Sequence, residues 1–272
     1  MSSDAKDRVA IVTGASSGIG LAFARAWVAR GGRVALVART RAALDALVRE
    51  LGSERAKAFP LDVRDLGTLE QLPRMVVEEL GRLDVIVNNA GLNHRGAIEK
   101  YEPRQLADIV TTNLTAPIVL TRAALPHIAS GGSIVQVSSI AGMVPVPGEA
   151  TYSASKAGLR AFARAVARDL EERNVHVGCV CPGPVDTGFL GDLSEVPDIV
   201  LSQPMISAEE VAAGILRCID ERIDELALPR QSGRLATMAY LLPDFAKRIQ
   251  PALEKRGARN RQAILARRRS VS

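Results

Sequence analysis

The chain is poor in aromatic residues, with one tryptophan, three tyrosines and five phenylalanines among its 272 residues. Proteins that grip single-stranded nucleic acid interleave aromatic and basic side chains, and no such interleaving is present here. Histidine is scarce too: His94, His127 and His176 have no recurrent motif around them, and there is no G-x-S-x-G turn. A Ser/His/Asp hydrolase is therefore disfavoured. No apolar run approaches the ~20 residues that span a bilayer, and residues 1–8 are polar where a secretory signal would be apolar. A cytoplasmic location is expected. Cysteine is limited to Cys179, Cys181 and Cys218. Strand alternation puts the first two on one face, so all three read as reduced core residues, and no metal site is expected.

The net charge of +5 has a local origin. Lys255, Arg256, Arg259, Arg261, Arg267, Arg268 and Arg269 have Glu254 as their only nearby acid, and the remainder of the chain is close to neutral. A basic recognition face for nucleic acid on the main body is not indicated.

What the chain does have is alternation. Residues 9–13 form a short β-branched run, followed by helix-like apolar spacing over 18–31. Further strand and helix patterns follow at 34–38 and 41–51, then at 56–61 and 66–80. Apolar runs at 85–88, 133–137 and 175–181 supply three more strands, separated by helical stretches at 103–128 and 154–173, and 226–228 adds a seventh. Strands without in/out alternation, joined by helices, predict a doubly wound parallel sheet of the α/β class. The length suits one such domain, residues 1–230, with a C-terminal helical extension over 231–272. That extension reads as a packed helix followed by a solvated basic tail, and it leaves three uses open: a helix covering a pocket, an oligomer contact, or a peripheral attachment of the basic tail to anionic membrane.

The turn after the first strand reads Thr13, Gly14, Ala15, Ser16, Ser17, Gly18, Ile19, Gly20. Glycines there let backbone approach a pyrophosphate at a helix N-terminus. The G-x-x-x-G-x-G spacing differs from the general dinucleotide fingerprint and by itself also fits a plain tight turn. Other motifs follow in order: Asn88, Asn89, Ala90 and Gly91 after the fourth strand, Ser139 after the fifth, then Tyr152 and Lys156 in Y-S-A-S-K, then Pro182, Gly183, Pro184, Val185, Asp186 and Thr187. Together these resemble the signatures of the short-chain dehydrogenases/reductases, over about residues 9–187.

The resemblance implies a Rossmann fold and a nicotinamide cofactor contacted by Gly14, Ser16, Ser17, Gly18 and Ile19 at the turn. It also implies that Asn89, Ala90 and Gly91 line the adenine ribose. Tyr152, Lys156, Pro182, Gly183, Val185 and Thr187 are expected at the nicotinamide end, with Thr187 holding the carboxamide. Asp62 and Val63 resemble the adenine contact, although Asp62 fits a helix cap equally well. At the end of the second strand, where an NAD enzyme carries a carboxylate, the chain has Ala38 and Arg39. Arg39 can present a charged fork to a 2′-phosphate, so NADP(H) is the expected cofactor.

Tyr152 and Lys156 stand four apart on one helical face. A neighbouring ammonium and an oxidised nicotinamide both favour phenolate, which makes Tyr152 usable as an acid/base. Ser139 is expected to hold the substrate oxygen. Asn113 resembles the family's fourth catalytic member, although a mid-helix Asn also serves as a local backbone partner. The resemblance places the pocket walls at 141–151 and 187–205, whose apolar Met143, Val144, Val146, Phe189, Leu190, Val196, Ile199, Val200 and Leu201 suit a mainly apolar ketone or secondary alcohol, or else pack a lid against the domain. The resemblance further implies a homodimer or homotetramer paired through the helices at 103–128 and 154–173. The functional expectation is an NADP(H)-dependent oxidoreductase, the alternative being an NADP(H)-sensing interaction protein that retains the fold.

Overall fold

The structure, a computed structural model, describes residues 5–271, with the side chains of 267–271 outside the description. Seven strands form one sheet: β1 (Val9–Thr13), β2 (Arg33–Ala38), β3 (Ala56–Pro60), β4 (Leu83–Asn88), β5 (Ile128–Val137), β6 (His176–Pro182) and β7 (Glu225–Leu228). Their order is β3-β2-β1-β4-β5-β6-β7, and every neighbouring pair is parallel. β1, β4 and β6 are buried along their whole length, as a sheet covered on both faces demands.

The crossovers are α1 (Gly18–Ala29), α2 (Arg41–Leu51), α3 (Leu66–Leu80), α4 (Pro103–Val110) continuing into α5 (Ala116–Ala124), α6 (Ala150–Asp169), then α7 (Asp198–Leu201) and α8 (Ala208–Asp220). On one face of the sheet, Phe23, Trp27, Leu44 and Ile215 pack over β1 and β2. On the other, Leu69, Leu72, Leu120 and Ala163 cover the same strands and β5. Chain order reverses between β1 and β4, and the crevice beyond the carboxyl ends of these strands is where an open α/β sheet takes its ligand.

The helix expected over 103–128 is interrupted by a π-helical turn, Thr111–Thr115, and stops at Ala124, after which β5 begins. The C-terminal extension is two helices, α9 (Arg230–Leu241) and α10 (Pro243–Val271). α10 lies so close against α7 that a Cβ at Gly257 would stand 1.7 Å from the Asp198 carbonyl oxygen. Leu190, Leu193, Val196 and Leu201 form a small core of their own between β6 and α8, with Ile264 of α10 packed on it.

Candidate functional site

A cleft of about 370 Å³ opens at the carboxyl ends of β1, β4, β5 and β6. Its floor at the β1 end is the turn into α1. Gly14 has φ +70°, and a Cβ there would stand 2.9 Å from Asn89 Nδ2. A Cβ on Gly20 would stand 2.4 Å from the Gly14 carbonyl oxygen, so the helix begins directly on the turn. No side chain caps α1, because the Ser17 hydroxyl makes no capping bond. The unsatisfied N–H groups of the first helical turn therefore point toward the cleft with the positive end of the helix dipole. A pyrophosphate fits this cradle on backbone geometry alone.

Asn89 holds that turn in place. Its Nδ2 donates to the Thr13 carbonyl oxygen at 2.9 Å, while Thr13 Oγ1 accepts from the backbone N–H groups of Asn89 and Ala90 at 3.0 Å each. The ends of β1 and β4 are thus clasped together, and Ala90 and Gly91 line the cleft beside them. Across from the turn, Thr187 comes close enough that a Cβ on Gly18 would lie 3.3 Å from its Cγ2. Ile19, Pro182, Gly183 and Val185 complete the same wall.

At the far end of the cleft stand Ser139, Tyr152 and Lys156. Ser139 Oγ accepts from the Ala141 N–H at 3.1 Å and donates to the Pro182 carbonyl oxygen at 3.4 Å. Lys156 is buried, with Nζ donating to the Val137 carbonyl oxygen at 2.8 Å and lying 5.9 Å from the centre of the Tyr152 ring. Burial pulls its ammonium down to about 8, with Cys179 and Cys181 acting in the opposite direction. The Tyr152 phenol is pushed up to about 12 by burial first and by the Glu149 carboxylate second, and the Ser139 hydrogen bond and the charge of Arg95 pull it back. The phenolate-favouring effect expected of Lys156 does not dominate in the chain alone, where Tyr152 is held as a protonated donor.

Asn113 lies behind this group, fully buried in the π-helical turn. Its Oδ1 accepts from the Leu92 N–H and its Nδ2 donates to the Leu92 carbonyl oxygen, both at 2.8 Å. The same Nδ2 reaches Ser155 Oγ at 3.0 Å, and Ser155 donates to the Tyr152 carbonyl oxygen at 2.7 Å. Asn113 thereby joins the segment after β4 to the helix that carries Tyr152.

The residues expected to meet the adenosine stand at the ends of β2 and β3, beyond the residues that line the cleft. Ala38 is buried at the end of β2 and Arg39 is exposed just beyond it. Asp62 is held by Arg64, whose Nη2 donates at 2.7 Å and whose backbone N–H donates at 3.0 Å. These bonds keep the Asp62 carboxyl below the ordinary carboxylate range, with the charge of Arg39 contributing in the same sense. The cap of α3 is Asp65, not Asp62. Val63 packs into the core beneath, and Ser16 lies half-buried in the turn.

Two side chains in the cleft have no local sequence signal. Arg95 and Glu149, both largely buried, form an ion pair at 2.7 Å beside Tyr152. Of the residues expected to form the pocket, Val144, Val146, Phe189, Leu190, Ile199 and Val200 line it. Met143, Val196 and Leu201 lie beneath in the core. α10 covers the pocket with Ala246, Ile249 and Leu253. Arg261, counted above with the basic tail, is no solvated tail charge: it donates to Asp198 Oδ1 at 2.7 Å and to the carbonyl oxygens of Leu193, Ser194 and Val196. Cys179 and Cys181 are neighbours on β6, buried, with Sγ atoms 3.8 Å apart. Among the described residues no cluster of His, Cys, Asp and Glu has metal-binding geometry, and no helix is long and apolar enough to cross a membrane.

The short chain dehydrogenase family model matches residues 8–197. The chain is 31% identical over 261 residues to dehydrogenase/reductase SDR family member 7B of Xenopus tropicalis, covering 90% of this chain and 83% of that one. It is 33% identical over 190 residues to a 3-oxoacyl-acyl-carrier-protein reductase of Escherichia coli, covering 69% and 78%. A short-chain dehydrogenase from Burkholderia cenocepacia, solved in complex with NADP, superposes with a TM-score of 0.77 at 30% identity, covering 82% of this chain and 97% of that one. The chain belongs to the short-chain dehydrogenase/reductase family. It is an oxidoreductase of the kind that interconverts CH–OH and C=O groups with a nicotinamide cofactor.

Proposed function

We propose that the protein reduces a mainly apolar ketone, or oxidises the corresponding secondary alcohol, using NADP(H), with Tyr152 as the acid/base. The observation that carries this reading is Tyr152 itself: a buried phenol, held protonated, at the end of an apolar cleft whose other end is a pyrophosphate cradle. When bound, the cofactor supplies or accepts the hydride.

The chain's own residues do the rest. A carbonyl oxygen seated between Ser139 Oγ and the Tyr152 hydroxyl receives a hydrogen bond from Ser139, which stabilises the charge that develops there, and the proton from Tyr152. Lys156, an ammonium below pH about 8, stabilises the phenolate that Tyr152 leaves behind and is available to the nicotinamide ribose. Asn113 is a positioning residue, holding Leu92 and, through Ser155, the first turn of α6. Val144, Val146 and Phe189 exclude water from the reacting carbon and give the substrate apolar surface.

The choice of NADP(H) over NAD(H) is supported by Ala38 and Arg39 at the end of β2 and by the NADP complex of the Burkholderia relative. Arg39 is exposed at the end of β2 near an Asp62 carboxylate that Arg64 already engages, so its guanidinium is available to a 2′-phosphate. A cytoplasmic homo-oligomer paired through α4, α5 and α6 remains part of this reading.

The test follows absorbance of reduced nicotinamide with NADPH and NADH against a panel of apolar ketones, aldehydes and 3-oxo thioesters. Turnover with NADPH that is lost in Tyr152→Phe is the expected result. Tight NADPH binding with no turnover on any member would overturn the reading and favour a dinucleotide sensor.

A further inference from the structure

Beyond Tyr152 the cleft is lined not only by Val144, Val146 and Phe189 but also by residues that follow the family match, which ends at residue 197. Its roof is α9 and α10. Leu235 and Ala239 face the cleft from α9, and Ala246, Ile249 and Leu253 face it from α10 at the three- and four-residue spacing of one helical face. Farther along that face, Gly257, Asn260 and Arg261 seat α10 on α7 and the segment before it, with Asn260 Nδ2 donating to the Leu201 carbonyl oxygen at 2.8 Å. The roof is therefore fixed to the wall and does not lie loosely over it.

Its polar groups are already committed. Gln203 Oε1 accepts from Ser232 Oγ at 2.8 Å, and Gln203 Nε2 donates to Ser202 Oγ at 3.1 Å. Gln250 Nε2 donates to Glu254 Oε1 at 2.8 Å. The charged residues of this region, Arg234, Lys247, Arg248 and Lys255, are exposed and do not line the cleft. A phosphate or carboxylate under this roof would lose its hydration and meet no cationic side chain among the residues of α9 and α10 that line the cleft.

Resting on the reductase reading above, we infer that the α9–α10 pair is the specificity element of this enzyme: it takes a hydrocarbon arm of the substrate and selects among ketones by the length of that arm. Each methylene moved under the roof raises kcat/KM on the order of fourfold until the pocket is full. A phenyl ring at position 246, which lines the cleft together with Leu235 and Ala239, takes the space of the arm.

The experiment measures kcat/KM with NADPH for a series of straight-chain methyl ketones. In parallel, calorimetry measures binding of the matching secondary alcohols to the NADPH complex, which cannot react. The native protein is expected to show both quantities rising with chain length. In Ala246→Phe the ratio of long to short is expected to fall by at least about tenfold. Ile249→Ser, which lowers apolar contact without filling space, serves as the second variant should the first not fold, and its ratio is expected to fall too. Turnover without length dependence, or an equal loss for every ketone in both variants, overturns the inference and leaves the reductase reading standing. Length-dependent binding of the alcohols with no ketone turned over supports the roof and overturns the reductase reading. Neither binding nor turnover at any length overturns both.

Discussion

Arg95 Nε donates to Glu149 Oε1 at 2.7 Å, with both side chains largely buried and Glu149 three residues ahead of Tyr152. Arg95 also donates to the carbonyl oxygens of Leu190 at 2.9 Å and Phe189 at 3.3 Å, and Asn93 Nδ2 reaches the same Glu149 oxygen at 3.0 Å. One guanidinium therefore joins the segments after β4 and β6 to the start of the helix that carries the acid. Arg95→Ala leaves a buried carboxylate without its cation and is expected to cost about 3–5 kcal/mol of stability. Restoring neutrality in Arg95→Ala/Glu149→Gln is expected to recover a large part of that loss, which urea denaturation of the four-member cycle measures. Additive losses would show that the two residues act separately.

Lys156 gives a pH dependence whose sign is fixed by its burial. Its folded value, about 8, lies below the ordinary 10.5, so between these limits the unfolded chain binds the extra proton. Stability contributed through Lys156 therefore rises as pH increases from about 8 toward 10.5, by up to about 3 kcal/mol. Denaturation of the native protein and Lys156→Met at pH 7.5 and 10 isolates this contribution, since the buried cysteines are common to both. Parallel pH curves would refute it. Reductase turnover is expected to fall over the same rise through about 8, as the ammonium is lost while Tyr152 keeps its proton.

Cofactor choice is carried by one exposed side chain. Arg39→Ala is expected to weaken NADPH binding by about 10- to 100-fold, the loss of a charge-assisted contact, and to leave NADH binding nearly unchanged. Fluorescence titration of both cofactors decides it. An equal loss for both would move the 2′-phosphate contact elsewhere, with Arg64 the next residue to substitute.

Local chemistry explains which elements were legible in the sequence. Residues 9–13, 41–51 and 66–80 match β1, α2 and α3 end to end, because an apolar run or an amphipathic face is bounded there by Gly14, Gly52 and Gly81. β4 starts two residues earlier than its apolar run because Asp84 is buried within it, accepting from Arg82 and from the Val9 N–H. A polar residue satisfied by distant partners cannot be recognised from its neighbours. The π-helical turn around Asn113 has the same character, since it is Leu92 and Ser155 that engage the amide. The site motifs were readable because backbone approach and short spacing define them. The Arg95–Glu149 pair spans 54 residues and the Arg261–Asp198 pair 63, and neither leaves a periodic trace.

Arg261 offers a test of whether the roof depends on its attachment. Its guanidinium reaches Asp198 and three backbone carbonyl oxygens of the segment ahead of α7, satisfying groups that no secondary structure would otherwise pair. In Arg261→Ala these carbonyls turn to water, while the Asn260 hydrogen bond, the close approach of Gly257 to Asp198 and the packing of Ile264 stay in place. Amide hydrogen exchange is expected to quicken over residues 192–202 and along the second half of α10, while β1, β4 and β5 keep their protection. KM for a long-chain ketone should rise more than that for a short one, because only the long arm reaches the roof, and NADPH affinity should be little affected since its cradle lies at α1. Unchanged exchange over 192–202 would mean that Leu193, Val196 and Leu201 hold the segment through packing alone, and that Arg261 is dispensable to the wall.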